Sequence, residues 1–307
     1  MRTPTRLAAL ALAGLLSTGL AACGDDTEPS SSPTAADPAP TEESSAPTDG
    51  GDSSQEPGTT EPGGEAEGGT AVPVYFVGET PLGQRLYREF HRVDGDPLLG
   101  AAQVLVEGAA EDPDYTTLLP GVTVEAVEQR DGAIVVTLGE DSPLSADKGT
   151  SSEQAALAVQ SLVYTLQGAA GSREPVRVEL ADGSPADLYD QPTGEGVEAQ
   201  PQLDVLSLVS LTTPTEGEQA SGTLAVEGVA SSFEATVPLA VLDEAGTEVL
   251  TDFTTAEAFG DQLYPFATEL DVSGLEPGTY TLVARTDDPS GGEGPGPFED
   301  TRTFTVG

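Results

Sequence analysis

The spacing of apolar side chains changes character several times along the chain. Leu7 to Leu20 is a 14-residue run of apolar and small residues, and from Gly24 to about Ala71 large apolar residues almost vanish. At Val72 alternation sets in: Val72-Pro73-Val74-Tyr75-Phe76-Val77 and then Leu86 to Val93 predict two extended segments, the first bounded by Gly78. Asp96-Pro97 predicts a helix start, with an N-cap followed by proline at the first helical position. Leu98, Ala101, Ala102, Leu105 and Ala109 follow at helical spacing, with an end near Gly108. Asp112-Pro113-Asp114 and Leu119-Pro120-Gly121 read as loop punctuation.

Val122–Val127 and Ala133–Leu138 predict a hairpin about Arg130-Asp131-Gly132. Ser151 with Gln154 three residues on predicts a capping box. Ala155, Ala158, Val159, Leu162, Val163 and Leu166 then line one face of a helix running to about Gly168. Val176 to Leu180 returns as a strand, turned at Asp182-Gly183. The order β-β-α-β-β-α-β predicts an α+β domain over residues 72–190, two helices on a mixed sheet.

Residues 191–203, rich in Gln, Pro, Gly and Glu, read as a short linker. Beyond it the pattern is all-β. Strands are expected at Leu203–Leu211, Leu224–Gly228, Ala235–Leu242, about 263–272, 279–286 and 301–306, with a turn at Asp243-Glu244-Ala245-Gly246. Seven or so short strands over 204–307 predict a β-sandwich. In Leu275-Glu276-Pro277-Gly278-Thr279-Tyr280-Thr281-Leu282, Tyr280 sits two residues before an expected inward position, as in a tyrosine corner.

Several stretches of 72–190 together resemble the GerMN domain, the sporulation and spore germination module of bacterial envelope lipoproteins. They are Val74-Tyr75-Phe76, Leu105-Val106-Glu107-Gly108, Leu119-Pro120-Gly121-Val122, Asp131 to Leu138, Gln154 through Leu166, and Val176 to Gly183. Leu211-Thr212-Thr213-Pro214, Val226 to Ala230, Phe233 to Val237 and Phe304-Thr305-Val306 resemble the immunoglobulin-like domain of bacterial spore germination, which often follows GerMN. The first pattern consists mainly of core and turn residues, so it implies fold more than chemistry and carries no catalytic residues over.

The N-terminus predicts export. Arg2 and Arg6 precede the apolar run, which is too short to span a hydrocarbon core of roughly 30 Å comfortably. Leu20-Ala21-Ala22-Cys23 then resembles the bacterial lipobox, in which a diacylglyceryl group is attached to the cysteine thiol and the new N-terminus begins there. The expectation is a signal peptide over 1–22 and lipidation of Cys23, with two acyl chains (palmitate or similar) at about 0.8 kcal/mol per buried methylene holding the protein to the membrane. Cys23 is the only cysteine, so no intrachain disulfide forms. Residues 24–71 hold 12 acidic side chains and no basic one. With Cys23 as the anchor, 23–71 is expected to be a disordered N-terminal tether, spanning on the order of 40 Å.

Charge narrows the partners. Losing Arg2 and Arg6 with the leader removes two of 11 basic residues and none of the 53 acidic ones, moving the net charge from −42 to −44. Long-range attraction of nucleic acid or anionic lipid is thereby excluded. A single histidine, His91, builds neither a multi-histidine metal site nor a catalytic dyad, no nucleophile-elbow motif occurs, and His91 is expected to be an exposed strand residue. Asp287 to Glu293 and Glu299-Asp300 offer oxygen ligands without EF-hand spacing, so a flexible acidic loop is the default. No catalytic residue, cofactor or metal site is therefore assigned, and no enzyme activity is expected. The reading is a lipid-anchored protein on the extracytoplasmic face of the cell membrane. It acts as a non-catalytic scaffold for an envelope protein, related to sporulation or germination; the alternative partner is a cell-wall polymer, peptidoglycan or another carbohydrate. The chain has no Trp, and its seven Tyr and eight Phe fall mostly in predicted strands, which favours the scaffold.

Overall fold

A computed structural model of the protein describes residues 68–288 and 292–307. The leader, Cys23 and residues 24–67 of the tether expected over 23–71 lie outside the described residues, whereas its last residues, Thr70 and Ala71, are not disordered but begin a paired strand. Strands β1 (Thr70–Thr80) and β2 (Gly83–Val93) form an antiparallel ribbon in which Phe76 faces Tyr87 and Val72 faces His91. Helix α1 (Pro97–Glu107) starts where Asp96 accepts hydrogen bonds from the amides of Leu98 (2.8 Å) and Leu99 (3.0 Å), and ends on Gly108. Strands β3 (Val124–Arg130) and β4 (Ala133–Leu138) turn through Asp131 and Gly132. Both turn residues are left-handed, with φ of 55° and 70°, as a two-residue hairpin loop requires. Helix α2 (Ser152–Ala170) carries the full capping box of Ser151 and Gln154 and leads to β5 (Val176–Glu179), which runs parallel to β4.

The expected element order of this first domain is present, with its strands divided between the β1–β2 ribbon and a separate mixed sheet, β3-β4-β5. Val74, Phe76, Leu105, Ile134, Val136, Leu162 and Leu166 form one core between these sheets and the two helices. Gly168 lies inside α2, two residues before its end, and does not stop it. A Cβ there would come within 2.6 Å of Pro73 Cγ, so the missing side chain lets the helix lie against β1.

Residues 191–203, expected as a linker, are strapped to the first domain. Val197 exchanges backbone hydrogen bonds with Val176 at 2.8 and 2.9 Å. In α2, Gln160 binds both Glu198 O (3.1 Å) and Gln200 N (2.9 Å), and Tyr164 one turn on donates to Gln200 O (2.5 Å). A short helix, α3 (Gln202–Val205), occupies the start of the first strand expected beyond the linker.

The second domain contains β6 (Val209–Thr213), β7 (Glu218–Ala220), β8 (Thr223–Ala230), β9 (Thr236–Leu242), β10 (Glu248–Thr255), β11 (Tyr264–Asp271), β12 (Gly278–Arg285) and β13 (Glu299–Val306). They form two sheets, β10-β9-β12-β13-β7 and β11-β8-β6, over a core that includes Leu211, Val226, Val241, Leu270, Leu282 and Phe304. This is the expected immunoglobulin-like sandwich. The sequence reading passed over β10, an edge strand that buries only Thr254 and leaves Val249 and Phe253 exposed, so its apolar residues follow no alternation. Tyr280 donates its hydroxyl to Glu276 O at 2.8 Å and stacks on Phe304, the corner lock expected of it.

Candidate functional site: the junction of the two domains

The two folded domains meet along β2. Ser207 N donates to Leu86 O at 2.8 Å, so the chain leaving α3 adds a backbone bridge to the ribbon. Arg88 N donates to Ser210 Oγ (3.2 Å), and Arg85 Nη1 donates to Leu203 O (3.2 Å). Val77, Leu86, Leu157, Tyr164, Val205 and Leu206 make a separate apolar cluster under this bridge.

A buried polar network lies on the other side of β2. Alternation along β2 turns Tyr87, Glu89 and His91 inward together. Glu89 accepts from His91 Nε2 (3.0 Å) and from the amides of Glu111 (3.0 Å) and Asp112 (2.9 Å), which fixes the loop after α1. That loop presents Asp112 and Tyr115 to β13, where Asp300, Arg302 and Phe304 share the inner face. Arg302, only 4% exposed, forms ion pairs with Asp112 and with Asp300 (3.3 Å). It also donates to the Tyr115 hydroxyl (3.1 Å), Thr301 O (2.7 Å) and Leu211 O (3.2 Å). Tyr115 donates to Asp300 Oδ1 (2.5 Å) and stacks on Tyr87 at 4.8 Å, while Asp300 Oδ2 accepts from Leu211 N (2.5 Å).

One guanidinium thus serves two buried carboxylates, a combination short of one positive charge. Burial pushes Asp112 up to about 7, with Asp300 adding to the shift while the Asp114 amide and Arg302 oppose it. Burial also raises Asp300, against the pull of Arg302. Burial and the Asp300 charge hold the Tyr115 phenol well above its usual range. Glu89 goes the other way: burial raises it, but the hydrogen bonds from His91, Asp112 N and Glu111 N outweigh burial and leave it below the usual range. The arrangement closes on itself, and its chemistry is that of a lock between domains.

Beside the apolar cluster is a cleft of about 340 Å³ lined by Tyr75, Tyr164, Gln167, Ser172, Arg173 and Gln202 among others. A smaller cavity of about 70 Å³, lined by Arg88, Leu206 and Ser210, shares Tyr75 and Gln202 with it. Gln167 donates its amide to Glu174 O (3.0 Å), whereas its Oε1, like Ser172 Oγ, is buried without a hydrogen-bond partner.

Residues 73–187 match the family described as sporulation and spore germination, and residues 208–293 match the immunoglobulin-like domain of bacterial spore germination. The folded chain is a germination domain joined to an immunoglobulin-like germination domain. Both modules are sporulation- and germination-associated, in the order the resemblance implied, and neither family description is that of an enzyme. No curated protein sequence matches the chain.

Weakly similar solved structures include the following three. The tandem GerMN domains of the sporulation protein GerM from Bacillus subtilis share 14% identity, covering 67% of this chain and 63% of that chain, at a TM-score of 0.33. CopC from Methylosinus trichosporium OB3b shares 20% identity over 32% of this chain and 92% of its own, at a TM-score of 0.21. The CBM51-2 and INT domains of Clostridium perfringens ZmpB share 14% identity over 56% and 29%, at a TM-score of 0.20.

The residues singled out in the sequence are placed as follows. Cys23 lies outside the described residues. His91 is not exposed: it is 9% accessible, inside the germination domain, because the alternation of β2 places it on the same face as Tyr87 and Glu89. Glu299 pairs with Arg285 (2.7 Å) and Asp300 with Arg302, and the acidic loop expected over Asp287 to Glu293 includes residues 289–291, which lie outside the described residues. Among the described residues no three His, Cys, Asp or Glu side chains group to hold a metal.

The Asp112–Arg302–Asp300–Tyr115 network was missed from the sequence. Its signal was the alternation Asp300, Arg302, Phe304, which puts two charges on the face of a strand that carries a core phenylalanine.

Proposed function

We propose that the protein is a non-catalytic scaffold on the extracytoplasmic face of the cell membrane, held by a diacylglyceryl group on Cys23 and related to sporulation or germination. Its partner is another protein of the envelope. The observation that carries this reading is the junction: backbone pairing at Leu86–Ser207 and the buried Arg302 network join the two germination modules into one body, which supports a single surface for a partner. The acidic stretch after Cys23 supports a tether that holds this body away from an anionic surface. Photo-crosslinking of the full chain in intact cells tests it. A discrete adduct with an envelope protein, lost in Cys23→Ser, is expected; substrate turnover by the purified chain, or no protein adduct, overturns the reading.

The cleft at Tyr75 and Tyr164 supports a second reading, in which the envelope partner is a wall saccharide. Its lining mixes the aromatic Tyr75 and Tyr164 with the polar Gln167, Ser172, Arg173 and Gln202, a make-up suited to hydroxyl and amide groups. Retention of the purified chain on protein-free cell-wall sacculi would favour the saccharide over the protein partner.

A further inference from the structure

The β8–β9 connection and the β10–β11 loop each carry an aromatic ring that is partly exposed to solvent. Phe233 is 42% exposed and Phe259, from the loop between β10 and β11, is 56% exposed. Their rings meet edge to face with centroids 6.2 Å apart. The residues after Phe233 are both left-handed although neither is glycine: Glu234 has a φ of 51° and Ala235 a φ of 60°. Consecutive L-residues in that region are disfavoured and persist only where their surroundings hold them.

Here the surroundings do so. Ser231 Oγ donates to Gly260 O (3.2 Å), and Ala256 N donates to Ala235 O (2.8 Å). Ser232 Oγ donates to Thr236 O and accepts from Asp287 N (2.7 Å). These bonds tie the Phe233 corner to the Phe259 loop and to the end of β12, so the pair of rings is presented on fixed backbone. Ala235 turns into the core, while Phe233 stays outside with Phe259 as its ring partner. Exposed paired aromatics on a rigid support have the form of an interface anchor.

Charge decides what covers it. The neighbours Glu234, Glu257 and Asp261 are exposed carboxylates. No lysine or arginine occurs from residue 178 to residue 284. A second copy of this chain, at a net charge of −42, or an anionic lipid surface would be repelled. Phenylalanine faces with exposed carboxylates one or two residues away in sequence suit arginine and lysine, whose stems cover apolar surface while their heads meet the acids and the ring faces.

We propose that the Phe233–Phe259 corner docks a cationic segment of another protein, one that alternates arginine or lysine with large apolar side chains. This rests on the scaffold reading and names the surface and chemistry of its protein partner.

Three synthetic 15-residue peptides test it against the full chain by fluorescence anisotropy: one of Arg and Leu, one of the same charge with Ser for Leu, and one of Glu and Leu. The Arg/Leu peptide is expected to bind at least tenfold more tightly than the other two. The double variant Phe233→Ser, Phe259→Ser is expected to lose that tenfold advantage while unfolding at an unchanged temperature, since both rings are exposed. Equal binding by the Arg/Ser peptide, equal binding by the variant, or no binding at millimolar concentration overturns the proposal. Photo-crosslinking in cells separates this from the scaffold reading: an adduct that persists in the double variant leaves the scaffold standing and rejects the corner, whereas no adduct from either chain rejects the scaffold.

Discussion

Replacing Arg302 with Met asks whether the buried network holds the two domains together. Arg302 is almost wholly buried and is shared by Asp112, Asp300, the Tyr115 hydroxyl and the carbonyls of Thr301 and Leu211. Methionine fills part of the volume and satisfies none of these groups. Two carboxylates are then left facing each other inside the protein, a situation that costs about 3–5 kcal/mol when one partner of a buried ion pair is removed. One of them takes up a proton, which keeps the cost within that range instead of at the full expense of two buried charges. For a folded body of this size each kcal/mol moves the midpoint by roughly 2–4 °C, so the melting temperature should fall by about 6–20 °C. Differential scanning calorimetry reads the shift and shows whether the single transition splits as the domains uncouple. A fall of less than about 2 °C, with one transition retained, would refute the reasoning. Replacing Asp112 and Asp300 by Leu in the same variant should recover much of the loss, because the unpaired charges go with the guanidinium.

The same network predicts a pH response. Asp112 binds its proton more tightly in the folded protein, at about 7, than in the unfolded chain near 3.8. The stabilisation it contributes is complete below the unfolded value and disappears as pH rises through about 7. Thermal melts should therefore show a decline between about pH 4 and pH 7 that is flatter in Asp112→Asn; equal slopes would count against the shift. Glu89 acts in the opposite sense, so Glu89→Gln should be less sensitive than the parent to acid below the ordinary carboxylate range, as followed by circular dichroism. Tyr115→Phe removes one hydroxyl between Asp300 and Arg302 and should cost about 1–2 kcal/mol in urea unfolding. Gly168→Ala drives a methyl into Pro73 and should cost about 1–3 kcal/mol in the same assay.

Much of the fold was legible because it rests on local rules. The Asp96 cap, the Ser151–Gln154 box and the Asp131-Gly132 turn each state their geometry within a few residues. What was not legible depends on partners far along the chain. Nothing near residues 191–203 says that Gln160 and Tyr164 will bind that backbone, so composition reads as linker where the protein builds a strap. Asp112 and Arg302 lie 190 residues apart, and each alone reads as a loop acid and a strand cation. The burial of His91 was not legible either, because its face of β2 buries the charged Glu89 while the opposite face leaves Phe90 exposed, the reverse of what polarity alone suggests. The edge strand β10 escaped because Val249, Leu250 and Phe253 do not alternate with its polar residues.

Metabolic labelling with an alkyne-bearing palmitate analogue, followed by membrane fractionation, tests the anchored scaffold most directly. The account predicts label on the full chain in the membrane fraction, and an unlabelled, released protein for Cys23→Ser. Label retained in Cys23→Ser, or an unlabelled parent chain free in the medium, would contradict it.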